Sequence, residues 1–256
     1  MSETSAARPA APAPEAIDLS EKGGPRDGQP QRLDRRLYMQ LLAFSGCHHP
    51  EILVHALERA ALQGVLYEDL NDPRGVAVLA VSESPDYFIE NLRPLLNTGP
   101  FGSLTRKAEM AFFGRTYALG YEPALEDWLL HRPRRVVLDP ACQWAVWYPL
   151  RRTGAFAQLS RQEQGQILRE HGAVGRRFGD AGLAHDIRLA CAGLDVHDND
   201  FVIGLIAEKL HPLSFLIQAM RGTQQTSKYI QSMGPFFVGR ALWRSPAPAA
   251  PAAAEA

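Results

Sequence analysis

Cysteine is scarce in this chain. Only Cys47, Cys142 and Cys191 occur, odd in number and far apart, so neither a disulfide framework nor a paired-cysteine metal site can be assembled from them. Buried free thiols in a reducing compartment fit that spacing. Charge of one sign is lacking too: the formal net charge is -1, which gives no reason to expect a nucleic acid or an anionic membrane surface as partner. No apolar run approaches the ~18 residues that a membrane span needs. The N-terminus has no basic start followed by an apolar core, the mark of a secretory signal. The expected location is therefore the cytoplasm, with no membrane partner. A P-loop, a G-x-G-x-x-G after a strand and an H-E-x-x-H are all missing, which removes the common nucleotide and zinc-protease signatures.

What is present is ordinary globular composition, 46% hydrophobic and 21% charged over 256 residues. Residues 1–31 are rich in Ala, Pro, Glu and Gly and read as a disordered tail, because they carry too little apolar area to offset ordering entropy. Residues 245–256 repeat the Ala-Pro bias and read the same way.

Between the tails, element order repeats. From Leu37 the patterning predicts strand, helix (opened by Pro50, stopped near Gly64), strand, an Asn71–Gly75 turn, strand, a helix capped by Ser84, and a strand over Glu109–Tyr117. That is β-α-β-β-α-β, the ferredoxin-like unit, assigned to residues 32–121. Glu122–Leu130 reads as a bridging helix. Residues 122–244 repeat the order: strands at Arg135–Leu138 and Gln143–Leu150, a helix from Ser160 to His171, strands at Asp186–Ala192 and Phe201–Ile206, a helical region from Ser214 to about Met233, and a last strand over Phe236–Leu242. The expected fold is α+β, two ferredoxin-like units forming a dimeric-type α+β barrel within one chain.

The most informative stretch runs from Ser160 to Phe201. Ser160 with Glu163 makes a capping box. Ile167, Leu168 and His171 follow at helical spacing, and Gly172 is placed to end the helix as a left-handed cap. By spacing alone His171 fits a packed core histidine better than a metal ligand.

The succession is more specific than any one motif. A helix ending Glu170-His171-Gly172, a strand ending Gly193-Leu194-Asp195, a helix carrying Met220-Arg221, and then Gly234-Pro235-Phe236-Phe237-Val238-Gly239 resemble the C-terminal half of the chlorite dismutase superfamily, which includes coproheme decarboxylases. The resemblance covers Arg134–Leu242 well and Leu37–Tyr121 loosely. It implies heme b, or coproheme as substrate, with His171 as the iron ligand. Chlorite dismutases hold that histidine's Nδ1–H with a glutamate; here Gln218 is the neutral candidate. Their distal arginine stands seven residues before the glycine of the Gly-Leu-Asp turn, and that count from Gly193 falls on Asp186. Arg188 lies two residues along on the same strand face, and a two-residue slip in register would make it the distal arginine. Trp147-Tyr148-Pro149-Leu150-Arg151-Arg152 resembles the decarboxylase segment in which a tyrosine carries a radical and a lysine binds a propionate, which implies those roles for Tyr148 and Arg152. The tryptophan-bearing segment that follows in decarboxylases is absent. Arg134 stands where the family keeps an arginine for propionates.

The expected function is thus a heme-binding oxidoreductase acting on peroxide or a small oxyanion, as a homo-oligomer that the resemblance makes a pentamer. The alternatives are a coproheme decarboxylase in heme b biosynthesis and a non-enzymatic heme-carrying or structural member of the family.

Overall fold

Apolar residues crowd both faces of most strands, so the sheet needs cover on each side. The structure, a computed structural model, describes residues 17–247. Two short strands, β1 (Glu21–Arg26) and β2 (Gln29–Leu33), form an N-terminal hairpin. The first unit runs β3 (Tyr38–Ser45), α1 (Pro50–Arg59), β4 (Gly64–Asp69), β5 (Val76–Ser82), a π-helical turn Phe88–Leu92 leading into α2 (Arg93–Asn97), and β6 (Thr105–Thr116). A second π-helical turn, Asp127–His131, runs into α3 (Arg132–Leu138) and links the halves. The second unit is β7 (Trp144–Arg152), α4 (Gly154–Ala157), α5 (Arg161–Asp180), β8 (His185–Ala190), β9 (Phe201–Ala207), α6 (Leu210–Arg221), α7 (Gln224–Tyr229), β10 (Ile230–Met233) and β11 (Phe237–Arg244).

The two units have the same strand order. In the first it is β4-β5-β3-β6 and in the second β8-β9-β7-β11, and β6–β8 and β11–β4 pairings join them. The β7–β9 pairing closes the sheet into a barrel, with β10 on the same edge of β7 as β11. This is the expected pair of ferredoxin-like units.

Alternation across the strands makes three cores. Met39, Leu41, Val65, Leu79, Phe112, Trp147, Ile187 and Phe237 fill the barrel interior. Outside the first sheet, Phe44, Leu66 and Val78 meet Leu53 and Leu57 of α1 and Leu92 and Leu96 of the second helix. Outside the second sheet, Val146, Tyr148 and Leu205 meet Val174 and Phe178 of α5 and Leu213 and Leu216 of α6. This third layer carries the candidate site.

Five expectations are corrected. Arg135–Leu138 is helical, not a strand, because Leu129, Leu130, Pro133 and Val137 bury one helical face. The helix from Ser160 does not stop at His171 but runs on to Asp180, with Gly172 inside it. Val174 and Phe178 continue its apolar face, which outweighs the roughly 1 kcal/mol an interior glycine costs. The region after Ser214 breaks at Gly222–Thr223, and Ile230–Met233 is a strand on β7. Finally, residues 17–31 are ordered. Gln31 Nε2 donates to the carbonyls of Gly24, Glu122 and Pro123, and its Oε1 accepts from Leu125 N. Glu21 accepts from Arg115 and from Ala118 N. These polar bonds replace the apolar area that composition lacks. At the other end Ser245 is buried and exchanges hydrogen bonds with Gly64, so the C-terminal tail begins later than expected. Residues 1–16 and 248–256, the rest of the expected tails, lie outside the described residues.

Candidate functional site

The outer face of the second sheet collects most of the residues that the sequence singles out. In register across β8, β9 and β7, Arg188 pairs with Ile203 and Ile203 with Tyr148; one step along, Asp186 pairs with Leu205 and Leu205 with Val146. Asp186, Arg188 and Tyr148 therefore share one face, and α5 crosses it with His171.

Ser160 starts α5 with the complete capping box, its Oγ accepting from Glu163 N while Glu163 accepts from Ser160 N. His171 lies one turn past buried Ile167. Its Nδ1 is 2.9 Å from Thr223 Oγ1, and Thr223 Oγ1 is 2.7 Å from the carbonyl oxygen of Met220. A hydroxyl has one proton. Thr223 donates it to Met220 O and so accepts from His171 Nδ1–H. That fixes the tautomer and leaves the Nε2 lone pair free. Burial, then the charges of Arg152 and Arg188, lower the His171 pKa to about 4, so the imidazole is neutral at pH 7. Gln218 does not hold Nδ1: it is exposed on α6, and the break between α6 and α7 at Gly222–Thr223 brings Thr223 to the ring instead.

Arg152 sits in a partly apolar bed, its guanidinium carbon 4.2 Å from the Phe156 ring centre and 5.0 Å from that of Phe201. Its Nε is buried with no hydrogen-bond partner among the described residues. Arg188 is alike: its Nε is also buried and unbonded, although it stands 3.1 Å from Asp186 Oδ2. The Nε–H is not aimed along that line, so the contact is Coulombic only. Arg132, on the linker, holds Asp186 better. Its Nη1 donates to Asp186 O at 2.8 Å and its Nη2 to Oδ1 at 3.0 Å.

Trp128 is in reach of both arginines. Its ring centre is 4.7 Å from Arg132 Cζ and 4.8 Å from Arg188 Cζ, and its Nε1 donates to Tyr117 O. Tyr148 is buried and stacks on Phe236 at 4.7 Å between ring centres. Burial, reinforced by Asp186, pushes its phenol well above the ordinary range. Tyr117 is likewise pushed up by burial.

Arg134 is not part of this group: on α3 it pairs with Glu83, which also takes Arg35. Sequence reading missed Arg132, Trp128, Tyr117 and Thr223. Trp128 and Arg132 stand four apart in the linker, one turn along a helix, and that spacing is the signal that could have found them. Thr223 follows a helix end that patterning did not mark.

The arrangement can do three things. His171 offers one neutral nitrogen donor. Arg152 and Arg188 offer buried positive charge with unused donors, which fits an anion or a carboxylate-bearing group. Ile203 and Phe236, each only partly buried, supply apolar surface beside them. Among the described residues there is no group of three or more His, Cys, Asp or Glu that could hold a metal ion by itself, and no helix is long and apolar enough to cross a membrane.

Comparison with known proteins bears on the same region. The chlorite dismutase family profile matches residues 76–242. Among solved structures, a novel heme-binding protein from Thermus thermophilus is similar with a TM-score of 0.62 and 18% identity, over 81% of this chain and 92% of that one. Chlorite dismutase from Candidatus Nitrospira defluvii in complex with imidazole is similar with a TM-score of 0.62 and 13% identity, over 82% and 92%.

Proposed function

The chain belongs to the chlorite dismutase family, and from that premise we propose that it is a heme-binding oxidoreductase in which His171 Nε2 ligates the iron and a peroxide or small oxyanion is the substrate. The observation that carries this reading is the His171–Thr223–Met220 relay, which presents a neutral imidazole with Nε2 free. A bound heme would supply the iron redox chemistry. Arg152, with its unbonded buried Nε, suits a heme carboxylate, which would accept two parallel hydrogen bonds from a guanidinium. Arg188 suits the substrate anion. The neutral threonine acceptor leaves His171 less electron-rich than a carboxylate would, and this favours modest peroxide chemistry over rapid oxyanion breakdown.

Reconstitution with ferric heme b tests the reading. Wild type should give a narrowed, shifted Soret band, and His171→Ala should not. Equal spectra from both proteins would remove His171 as ligand. No specific binding by wild type, repeated with coproheme, would leave a non-enzymatic family member.

A second reading, coproheme decarboxylation with peroxide as oxidant, is favoured by Tyr148 sharing the row with Arg188. Coproheme-loaded protein given peroxide should then release two carboxylates, and an unchanged yield in Tyr148→Phe would exclude it.

A further inference from the structure

Three charged groups of the site lie around one ring, and their balance has a consequence for what binds. Arg188 and Arg132 each stand over the Trp128 ring at nearly equal distances. Two guanidinium groups on one ring repel each other, and Asp186 between them offsets that repulsion. Asp186 is not shared evenly. Arg132 takes its backbone carbonyl and its Oδ1 with two hydrogen bonds. Arg188 has only an unaligned approach to Oδ2, and its buried Nε–H stays unbonded.

We propose that Arg132 is a positioning residue for anion binding. It holds the Asp186 carboxylate so that Arg188 keeps its charge and donors for a small monovalent oxyanion on the face shared with His171. Asp186 is then a built-in competitor for Arg188, and Arg132 keeps it occupied. Arg132, Arg188 and Asp186 sum to one net positive charge. The site therefore attracts an anion despite its carboxylate. A guanidinium is suited to this because it presents several donors in one plane and stacks on an aromatic face while doing so. The inference rests on the proposed function and adds to it the residue that keeps Arg188 available to the anion. The clamp's own geometry involves no heme, so it can be tested without heme.

The experiment uses full-length protein labelled with 5-fluorotryptophan, with the Trp128 resonance assigned by Trp128→Phe. Nitrite is titrated at constant ionic strength into heme-free protein, and 19F shifts give its Kd. The same variants, loaded with ferric heme b, are titrated with nitrite and read by the Soret band. Arg132→Leu should weaken nitrite about ten-fold, as Asp186 turns to Arg188. Asp186→Asn should tighten it. The double variant Arg132→Leu/Asp186→Asn should bind like Asp186→Asn, because no carboxylate is left to compete for Arg188. A purely structural role for Arg132 would leave the double variant as weak as Arg132→Leu, and that overturns the proposal, as does wild-type affinity in Arg132→Leu. If Arg132→Leu does not fold by circular dichroism, Arg132→Lys, which keeps the charge but loses the two-pronged grip, is read by the same ordering. A failed Soret band with an intact heme-free titration would sink the heme reading and leave the clamp standing.

Discussion

Thr223 Oγ1 accepts a hydrogen bond from His171 Nδ1–H and donates one to the carbonyl of Met220. The pair is 52 residues apart in sequence, and it exists because the helical region after Ser214 breaks at Gly222. Thr223 is buried, so the bond has little competition from water. Thr223→Val keeps the shape and removes the acceptor. A buried N–H left unpaired costs about 1–3 kcal/mol, and loss of a partner behind a metal ligand lowers affinity about 10–100-fold. Heme b titration followed at the Soret band should show that loss in Thr223→Val and near wild-type affinity in Thr223→Ser. Equal affinity in all three would mean that the tautomer is fixed in some other way.

The same histidine sets a pH dependence for the heme-free protein. Its folded pKa, about 4, is below the ordinary 6.5, so the unfolded chain takes up the proton first as pH falls. Stability is fully present above about 6.5 and declines as pH drops towards 4. The loss is on the order of 3 kcal/mol if His171 acts alone. Urea midpoints at pH 7 and at pH 4.5 should differ more for wild type than for His171→Ala. A parallel pH profile in the two proteins would show that His171 is not the group responsible.

Fold and site were legible to different depths. Most of the element order could be anticipated because period-2 apolar runs and turn residues such as Asn71–Gly75 are local signals that place a strand without knowledge of its partner; Arg135–Leu138, a helix, and Ile230–Met233, a strand, are the exceptions in the second unit. His171 stands out through the family resemblance of its Glu-His-Gly helix; the capping box and apolar stripe only mark the helix that carries it. Helix ends were harder: Gly172 has the chemistry of a cap, yet packing by Val174 and Phe178 carries α5 two turns further. The N-terminal hairpin was hidden because hydrogen bonds from Gln31 and Glu21 to distant backbone hold it, and composition does not report such bonds. Arg132 and Trp128 reach the site only through the linker's path, so no count within the Asp186 strand could reveal that Asp186 is already held.

Gly204 shows how tightly the second sheet is fitted beneath the site. It pairs with Trp147 across β7 and β9, and a Cβ on it would stand 2.5 Å from the Trp147 ring. Trp147 is fully buried in the barrel interior, so the ring has nowhere to go. Gly204→Ala should destabilise the protein by about 1–3 kcal/mol or more, the usual range for overpacking a filled core. Denaturant midpoints read this directly. Gly204→Ala/Trp147→Phe should regain part of the loss if the clash is the cause.

The hairpin gives the last prediction. Gln31 is its main tie to the body, with three carbonyls on its Nε2 and one amide on its Oε1. Gly24 adds a backbone bond to Glu122 O, and both glycines of β1 fit against backbone, with a Cβ on Gly23 meeting Glu122 O at 2.9 Å and one on Gly24 meeting Tyr121 O at the same distance. The hairpin contributes little to the apolar core beyond Leu33. Its stability should therefore rest on these bonds, and its opening should be local rather than global. Gln31→Ala should raise hydrogen exchange at Gly24 and Leu125 at least ten-fold while leaving the amides of β3 and β5 unchanged, because those strands are buried in the barrel and pair with each other without the hairpin. Faster exchange throughout β3 and β5 would show that the hairpin is part of the global folding unit, and the N-terminal segment would then have to be counted within the first ferredoxin-like unit.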